Sequence, residues 1–310
     1  MKKPLVAIIV GPTASGKTSL SIETAKILNG EIVSADSMQI YEHMDIATAK
    51  PTQEEMQGIA HHLIGFVPMG ESFSVAEYKD RAIAAIDDIH NRGKLPIVVG
   101  GTGFYIDTLI NNTEFLDYEK NDIREKLEER AKNEGIECLF DELKDIDAET
   151  ASKLHHNDTK RIIRALEVYY STGKTMTEQR KLSHLNESRY NWVVIGLTAE
   201  DRQFLYDRIN KRVDLMVEQG LIDEAKCFFS NEVSKTAAQA IGYKELKPYL
   251  DGLISLDEAL EKLKMETRRY AKRQLTWFRR NGSINWFNID VTEKDELIRR
   301  TVTTINEYRS

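Results

Sequence analysis

The sequence predicts an α/β fold, a P-loop-containing parallel sheet core flanked by helices, with a mostly helical insertion domain. Three observations carry that prediction. Leu5–Val10 reads LVAIIV, six consecutive apolar residues rich in Val and Ile, which suits a strand buried on both faces of a parallel sheet. It runs into Gly11-Pro12-Thr13-Ala14-Ser15-Gly16-Lys17-Thr18, the GxxxxGK[ST] spacing of a phosphate-binding loop, followed by apolar residues at helical spacing. Further on, residues 114–149 hold fourteen acidic and six basic side chains and no apolar run fit for a central strand, as a helical insertion would. The expected partition is therefore 1–113 with 190–310 for the core and 114–189 for the insertion.

The loop comes first in the chain and in chemical information. Its glycines let the backbone curl so that successive N–H groups point at one spot, the helix N-terminus adds partial positive charge, and Lys17 adds a full one. A diphosphate or triphosphate fits there, and Thr18 would place its hydroxyl on a Mg2+ ion bridging the phosphate oxygens. Kinases, ATPases and several transferases share such loops, so nucleotide binding, ATP binding included, is expected of it while the reaction stays open.

A helix over 18–28 stops at Asn29-Gly30, and a second short strand over 31–34 delivers Ala35-Asp36-Ser37-Met38-Gln39 at its carboxyl end, where ligands of open parallel sheets lie. Asp36 is a candidate proton acceptor, or else a cap for a following helix or a holder of Mg2+ through water. Residues 45–68 read as loop with one short helix near 53–58, and His61-His62 as local structure rather than metal ligands, because adjacent residues point different ways. A crossover helix over 74–90 leads to a third strand over 95–99. Gly100-Gly101-Thr102-Gly103 then permits close approach between backbone and ligand, and Thr102 offers a hydroxyl to the same crevice.

Within the insertion, helices are expected over 122–133 and from Asp158 onward, the latter with Lys160, Arg161 and Arg164 near its N-terminus. Cations oppose the helix dipole there, which points to an outside partner or to a solvated face. The run 192–197 (WVVIGL) returns the chain to the sheet. A helix over 201–219 carries Arg208, Lys211 and Arg212 on one face, which either closes over a diphosphate or is simply solvated. AAQAIGYKE at 237–245 reads as a turn against a ligand. Ser255 opens a long helix to about Arg280 with Arg269, Arg273 and Arg280 on one side and Tyr270, Trp277 and Phe278 interleaved, a pattern suited to an RNA loop or to a helix with its aromatics in the core.

Composition limits the remaining classes. Lys and Arg total 43 against 50 for Asp and Glu, a net charge of -7, so a general nucleic-acid binder is not indicated; residues 264–280, however, hold seven basic side chains and one acidic, a stripe able to grip a polyanion. No apolar run approaches a membrane span, and Cys138 and Cys227 have no metal or CxxC spacing, so a cytoplasmic protein without membrane contact is expected, and a monomer.

Seven segments in order, GPTASGKT, DSMQIY, MDIATAKP, GGTGFY, DTKRIIRALEV, AIGYKE and TRRYAKRQLTWFRR, resemble the tRNA dimethylallyltransferases, also called tRNA isopentenyltransferases. The resemblance implies transfer of a dimethylallyl group from dimethylallyl diphosphate to N6 of adenosine 37 in tRNAs reading codons that begin with U, with release of diphosphate. It also implies a channel between core and insertion. On that likeness Asp36, Thr13, Lys17, Thr102 and Arg212 are the catalytic set, and the loop from Gly11 to Thr18 holds the diphosphate. Ala35, Asp36, Ser37, Met38, Gln39, Gly101 and Thr102 face the base, and Lys160, Arg161, Arg164, Arg269 and Arg273 grip the anticodon stem-loop. A small-molecule P-loop kinase, a nucleotide-gated RNA-binding module and a transferase using free AMP or ADP are the alternatives. The region beyond Gly196 argues against a compact kinase.

Overall fold

The computed structural model describes residues 3–115, 122–185 and 187–309. Two compact units emerge, one formed by Met1–Leu109 with Arg189–Ser310 and the other by Ile110–Ser188.

The first unit is built on a six-stranded parallel sheet. In chain order its elements begin β1 (Leu5–Val10), α1 (Lys17–Leu28), β2 (Gly30–Ser34), α2 (Gln53–Met56), β3 (His61–His62), α3 (Val75–Asn91), β4 (Leu95–Gly100) and α4 (Gly103–Ile110). The strand order begins β3-β2-β4-β1 and is completed by two later strands. β1 lies inside the sheet, with Ala7 beside Ile97 of β4, and Val6, Ala7, Ile8, Ile9 and Val10 are fully buried. Each such aliphatic side chain contributes roughly 1.5–3 kcal/mol, which is why the apolar run leaves no polar face. Gly16 in the left-handed region starts α1, and α3 begins with a capping box between Ser74 and Glu77, worth about 1 kcal/mol.

β3 was not expected. His61 and His62 pair with Ile32 and Val33 as a two-residue edge strand, His62 Nε2 lies 2.8 Å from Glu31 Oε2, and His61 Nδ1 lies 2.8 Å from the Ile59 carbonyl. The pair therefore has local partners, as its reading from sequence holds, but in a strand rather than a loop. Glu31 also takes Arg92 and Lys94, and this cation cluster holds its carboxyl well below the usual range.

The second unit is helical: α5 (Ile123–Asn133), α6 (Ile136–Ile146), α7 (Ala148–Ala151), α8 (Thr159–Thr172) and α9 (Met176–Leu185). Leu127, Leu139, Leu143, Ile162, Ile163 and Leu166 make its core. Asp147 ties α7 to α9, accepting from Thr150 N at 3.0 Å and Thr177 Oγ1 at 2.6 Å. The start of the expected insertion, 114–121, falls mostly on residues outside the described ones.

The chain then completes the sheet unit with β5 (Asn191–Thr198), α10 (Arg202–Glu218), α11 (Leu221–Ser230), a 3-10 turn (Ala237–Gln239), α12 (Tyr243–Leu250), α13 (Leu256–Phe278), β6 (Asn285–Asn288) and α14 (Lys294–Glu307). β5 pairs with β1 and β6 with β5, all parallel. The carboxyl ends of the neighbouring strands β2, β4 and β1 thus emerge on one side of the sheet, carrying Asp36, Thr102 and the glycine loop together.

Candidate active site

The loop between β1 and α1 is fixed by close approaches that larger residues forbid. A Cβ on Gly11, whose φ is 153°, would stand 2.8 Å from the Leu197 carbonyl oxygen, and Gly16 adopts φ 90°. Ala14 joins it in the left-handed region at φ 62°. Lys17 Nζ donates to the Pro12 carbonyl at 2.8 Å, so the ammonium lies back along the loop's inner face.

From the far side α10 closes on the same loop. Arg208 Nε donates to the Ala14 carbonyl at 2.7 Å and Arg212 Nη1 to Thr13 Oγ1 at 3.3 Å. Burial, and next the Arg212 charge, push Lys17 down to about 8, and Asp36 opposes the shift. Arg212 is likewise held below the usual guanidinium range by burial, with Asp36 opposing. Two poorly hydrated cations set against one carboxylate leave uncompensated positive charge, so a multiply charged anion entering here gains more than it would at an exposed site.

Asp36 stands at the end of β2. Its Oδ1 accepts from Met38 N at 2.9 Å and Gln39 N at 3.4 Å, so it caps a turn rather than the helix expected there, which orients the carboxylate. Thr102 Oγ1 accepts from Ser37 N at 3.0 Å and donates to Ser37 Oγ at 3.3 Å, joining the β4 turn to the β2 turn. Gln39 is spent on the protein: its amide donates to the carbonyls of Thr48 and Ala49, both at 3.1 Å.

An inner cavity of 310 Å³ gathers Thr13, Lys17, Thr18, Asp36, Arg212 and Arg273 with Ser37, Met38 and Gln39. Its apolar wall comes from Val99, Ile209, Val213, Met216, Leu221, Ile241 and Leu263. One cavity thus holds cations, a carboxylate and room for an apolar group, and most of its apolar wall comes from beyond Gly196, as a compact kinase would not need. A more open cleft of 800 Å³ on the other side of Lys17, Thr18 and Arg212 is lined by Ala14, Ser15 and Gly16 with Arg208 and Lys211.

Several expected site residues lie elsewhere. Ala35 is fully buried, and its carbonyl accepts from Thr102 N. Gly101 is a packing position, because a Cβ there would come within 2.0 Å of Gln274 Nε2. Arg269 points away from the cavity and pairs with Glu266 at 2.6 Å. Lys160, Arg161 and Arg164 are exposed on α8 in the helical unit. The interleaved aromatics of α13 face inward: Phe278 is buried, Trp277 Nε1 donates to Asp107 Oδ2 at 2.8 Å, and Tyr270 lines the inner cavity. The core reading of that pattern holds for Trp277 and Phe278, whereas Tyr270 borders the cavity beside Arg273.

Gln274 escaped the sequence reading. Only 5% exposed, it accepts from Thr13 N at 2.8 Å and donates to the Gly101 carbonyl at 3.0 Å, bracing the glycine loop against the β4 turn. Nothing local in a basic, aromatic helix singles out one neutral amide. The turn read at 237–245 forms the 3-10 turn and the start of α12, and Gln239, Ala240, Ile241, Gly242 and Lys244 line the cavity.

Comparison with known proteins agrees with this architecture. Residues 39–281 match the family model described as IPP transferase. The chain is 50% identical over 301 residues to the tRNA dimethylallyltransferase of Caldanaerobacter subterraneus subsp. tengcongensis, covering 96% of each. It is 53% identical over 296 residues to the tRNA dimethylallyltransferase of Acetivibrio thermocellus, covering 94% of each. Among solved structures, the full-length tRNA isopentenylpyrophosphate transferase of Bacillus halodurans superposes with a TM-score of 0.73 at 46% identity, over 99% of this chain and 98% of that one. A eukaryotic dimethylallyltransferase acting on tRNA gives 0.86 at 31% identity, over 99% of this chain and 79% of its own. With a family model spanning most of its length and relatives at half identity end to end, the chain belongs to the IPP transferase family.

Proposed function

We propose that the protein is a tRNA dimethylallyltransferase, moving a dimethylallyl group from dimethylallyl diphosphate to N6 of adenosine 37 beside the anticodon. One observation carries the reading: Asp36 and the cations Lys17 and Arg212 share a single cavity with an apolar wall.

The chemistry follows from that arrangement. N6 attacks C1 of the allyl group, the C1–O bond breaks, and its electron pair leaves with the diphosphate. The N–H groups of the loop from Gly11 to Thr18, with Lys17, Arg212 and Thr13, stabilise the charge that develops on the leaving group. An exocyclic amine is a weak nucleophile until its proton has a destination, and Asp36, oriented through Oδ1, receives it. The base leaves its stack to reach the cavity, where Ser37 and Met38 meet it while Gln39 and Thr102 hold that wall in place.

Mg2+ fits the donor set. Thr18 opens on both cavities, Asp36 lies nearby, and among the described residues no cluster of three acidic, His or Cys side chains competes, which suits an ion held mainly by phosphate oxygens and water. Bound there, Mg2+ supplies charge neutralisation to the departing diphosphate. The exposed cations of α8 and the stripe containing Arg269 and Arg273 would hold the anticodon stem-loop by its phosphates. We place the activity in the cytoplasm, where the two exposed thiols, Cys138 and Cys227, stay reduced.

The test mixes purified protein, Mg2+, labelled dimethylallyl diphosphate and unmodified tRNA. Label is expected in RNA, recovered after digestion as N6-(dimethylallyl)adenosine; label confined to small molecules would contradict the reading.

A further inference from the structure

We infer that Glu224, a residue outside the glycine loop and the strand ends, is a positioning residue for the transfer, holding the segment 45–50 that borders both cavities. The inference rests on the function proposed above.

Segment 45–50 lacks regular structure, yet it is firmly held. Glu224, on α11, accepts four hydrogen bonds through its two oxygens. Oε2 takes Asp45 N at 2.9 Å and Ile46 N at 2.7 Å, while Oε1 takes Ala47 N at 2.9 Å and the Tyr243 hydroxyl at 2.9 Å. Three consecutive backbone N–H groups thus converge on one carboxylate, a concavity that favours an anion. The contact is close on its other side too, since a Cβ on Gly242 would reach 2.9 Å from Ala47 Cβ.

What the segment does next gives Glu224 its reach. Ala47, Thr48 and Ala49 line the inner cavity, and Asp45, Ile46, Ala49 and Lys50 line the outer cleft. Ala49 is therefore common to both, as are Lys17, Thr18 and Arg212. The carbonyls of Thr48 and Ala49 receive the Gln39 amide, and the Gln39 backbone N–H in turn donates to Asp36 Oδ1. A continuous chain of hydrogen bonds therefore runs from Glu224 through segment 45–50 and Gln39 to Asp36. Glu224 touches neither reacting group; it fixes the wall against which the acceptor base and the diphosphate are set.

Glu224→Ala leaves three N–H groups and a phenol without their acceptor. Amide exchange at Asp45, Ile46 and Ala47 is expected to accelerate at least ~10-fold, and the single-turnover transfer rate from dimethylallyl diphosphate to tRNA at saturation to fall about 30-fold. The isosteric Glu224→Gln fills the same space but brings one acceptor oxygen and turns an NH2 toward the N–H groups, so it does not restore the rate. Combining Glu224→Ala with Gln39→Ala gives a rate no lower than the slower single variant, because both act through one segment. Transfer at the wild-type rate in either Glu224 variant, multiplicative losses in the double variant, or unchanged amide exchange would each overturn the inference. Absence of transfer in the wild type would instead bring down the proposed function along with it, and the exchange measurement separates the two cases.

Discussion

Lys17 and Arg212 in the sheet unit carry the same charge as Arg161 and Arg164 in the helical unit, in different surroundings. The first two border both cavities, half-buried, with their proton affinities lowered by desolvation, facing each other and Asp36. The other two sit on an exposed helix, their side chains 70% and 47% exposed, and each pairs with a carboxylate three residues away, Asp158 and Glu167, at 3.1 Å. At 4 Å a unit charge pair is worth about 1 kcal/mol in water and about 4 kcal/mol near a protein surface with poorer screening. The half-buried cations can therefore alter a barrier, whereas exposed pairs, worth roughly 0–1 kcal/mol, exchange easily for phosphate and contribute affinity that salt erodes.

Mutation can break the contrast at either end. Lys17→Ala should lower kcat/KM for dimethylallyl diphosphate about 10²–10³-fold while tRNA affinity stays within a few-fold; unchanged steady-state kinetics would remove the phosphate assignment. Gly101→Ala drives a methyl into Gln274 and breaks its bond to Thr13 N, so KM for the allyl diphosphate should rise about 30-fold with only a modest loss of tRNA affinity in titrations.

The pH dependence sharpens the same point. Lys17 titrates near 8 in the free protein, and a bound diphosphate raises that value by favouring the charged form. Affinity is then fully present below about pH 8 and declines up to about tenfold per pH unit above it, until the pKa of the complex is passed. Calorimetric titrations with inorganic diphosphate from pH 7 to 10, corrected for the ligand's own ionisation, read this, and a flat corrected profile would contradict a lowered Lys17 proton affinity at the anion site. The smallest effect belongs to the surface: Arg161→Ala with Arg164→Ala should weaken tRNA binding about fivefold at low salt and flatten the logarithmic salt slope by about 1–2, leaving the rate at saturation intact.

Both kinds of cation were legible in the sequence, but the residues that hold the site together were not equally so. The glycine loop announces itself because its function is written in consecutive residues, and Asp36 and Thr102 follow because strand ends in a parallel sheet are predictable places. Gln274 and Glu224 are different. Gln274 meets Thr13 across 261 positions, and Glu224 meets Asp45 across 179, so only the folded chain shows what their polar atoms reach. The edge strand at His61–His62 is too short for periodicity to reveal, whereas α6 carries Ile136, Leu139, Phe140, Leu143 and Ile146 at plain helical spacing and was legible in the sequence. In α13 Trp277 and Phe278 pack inward while Tyr270 keeps an edge on the cavity beside Arg273, a division that the alternation along the sequence does not show.

The proposed transfer depends on Asp36 taking the proton across the cavity from the departing diphosphate. Rapid-quench single-turnover transfer by Asp36→Asn, with affinities for tRNA and dimethylallyl diphosphate measured on the same preparation, tests it most directly. The prediction is a rate about 10²–10⁴-fold below wild type with both affinities within a few-fold. A wild-type rate, or a loss explained wholly by weaker tRNA binding, would contradict it.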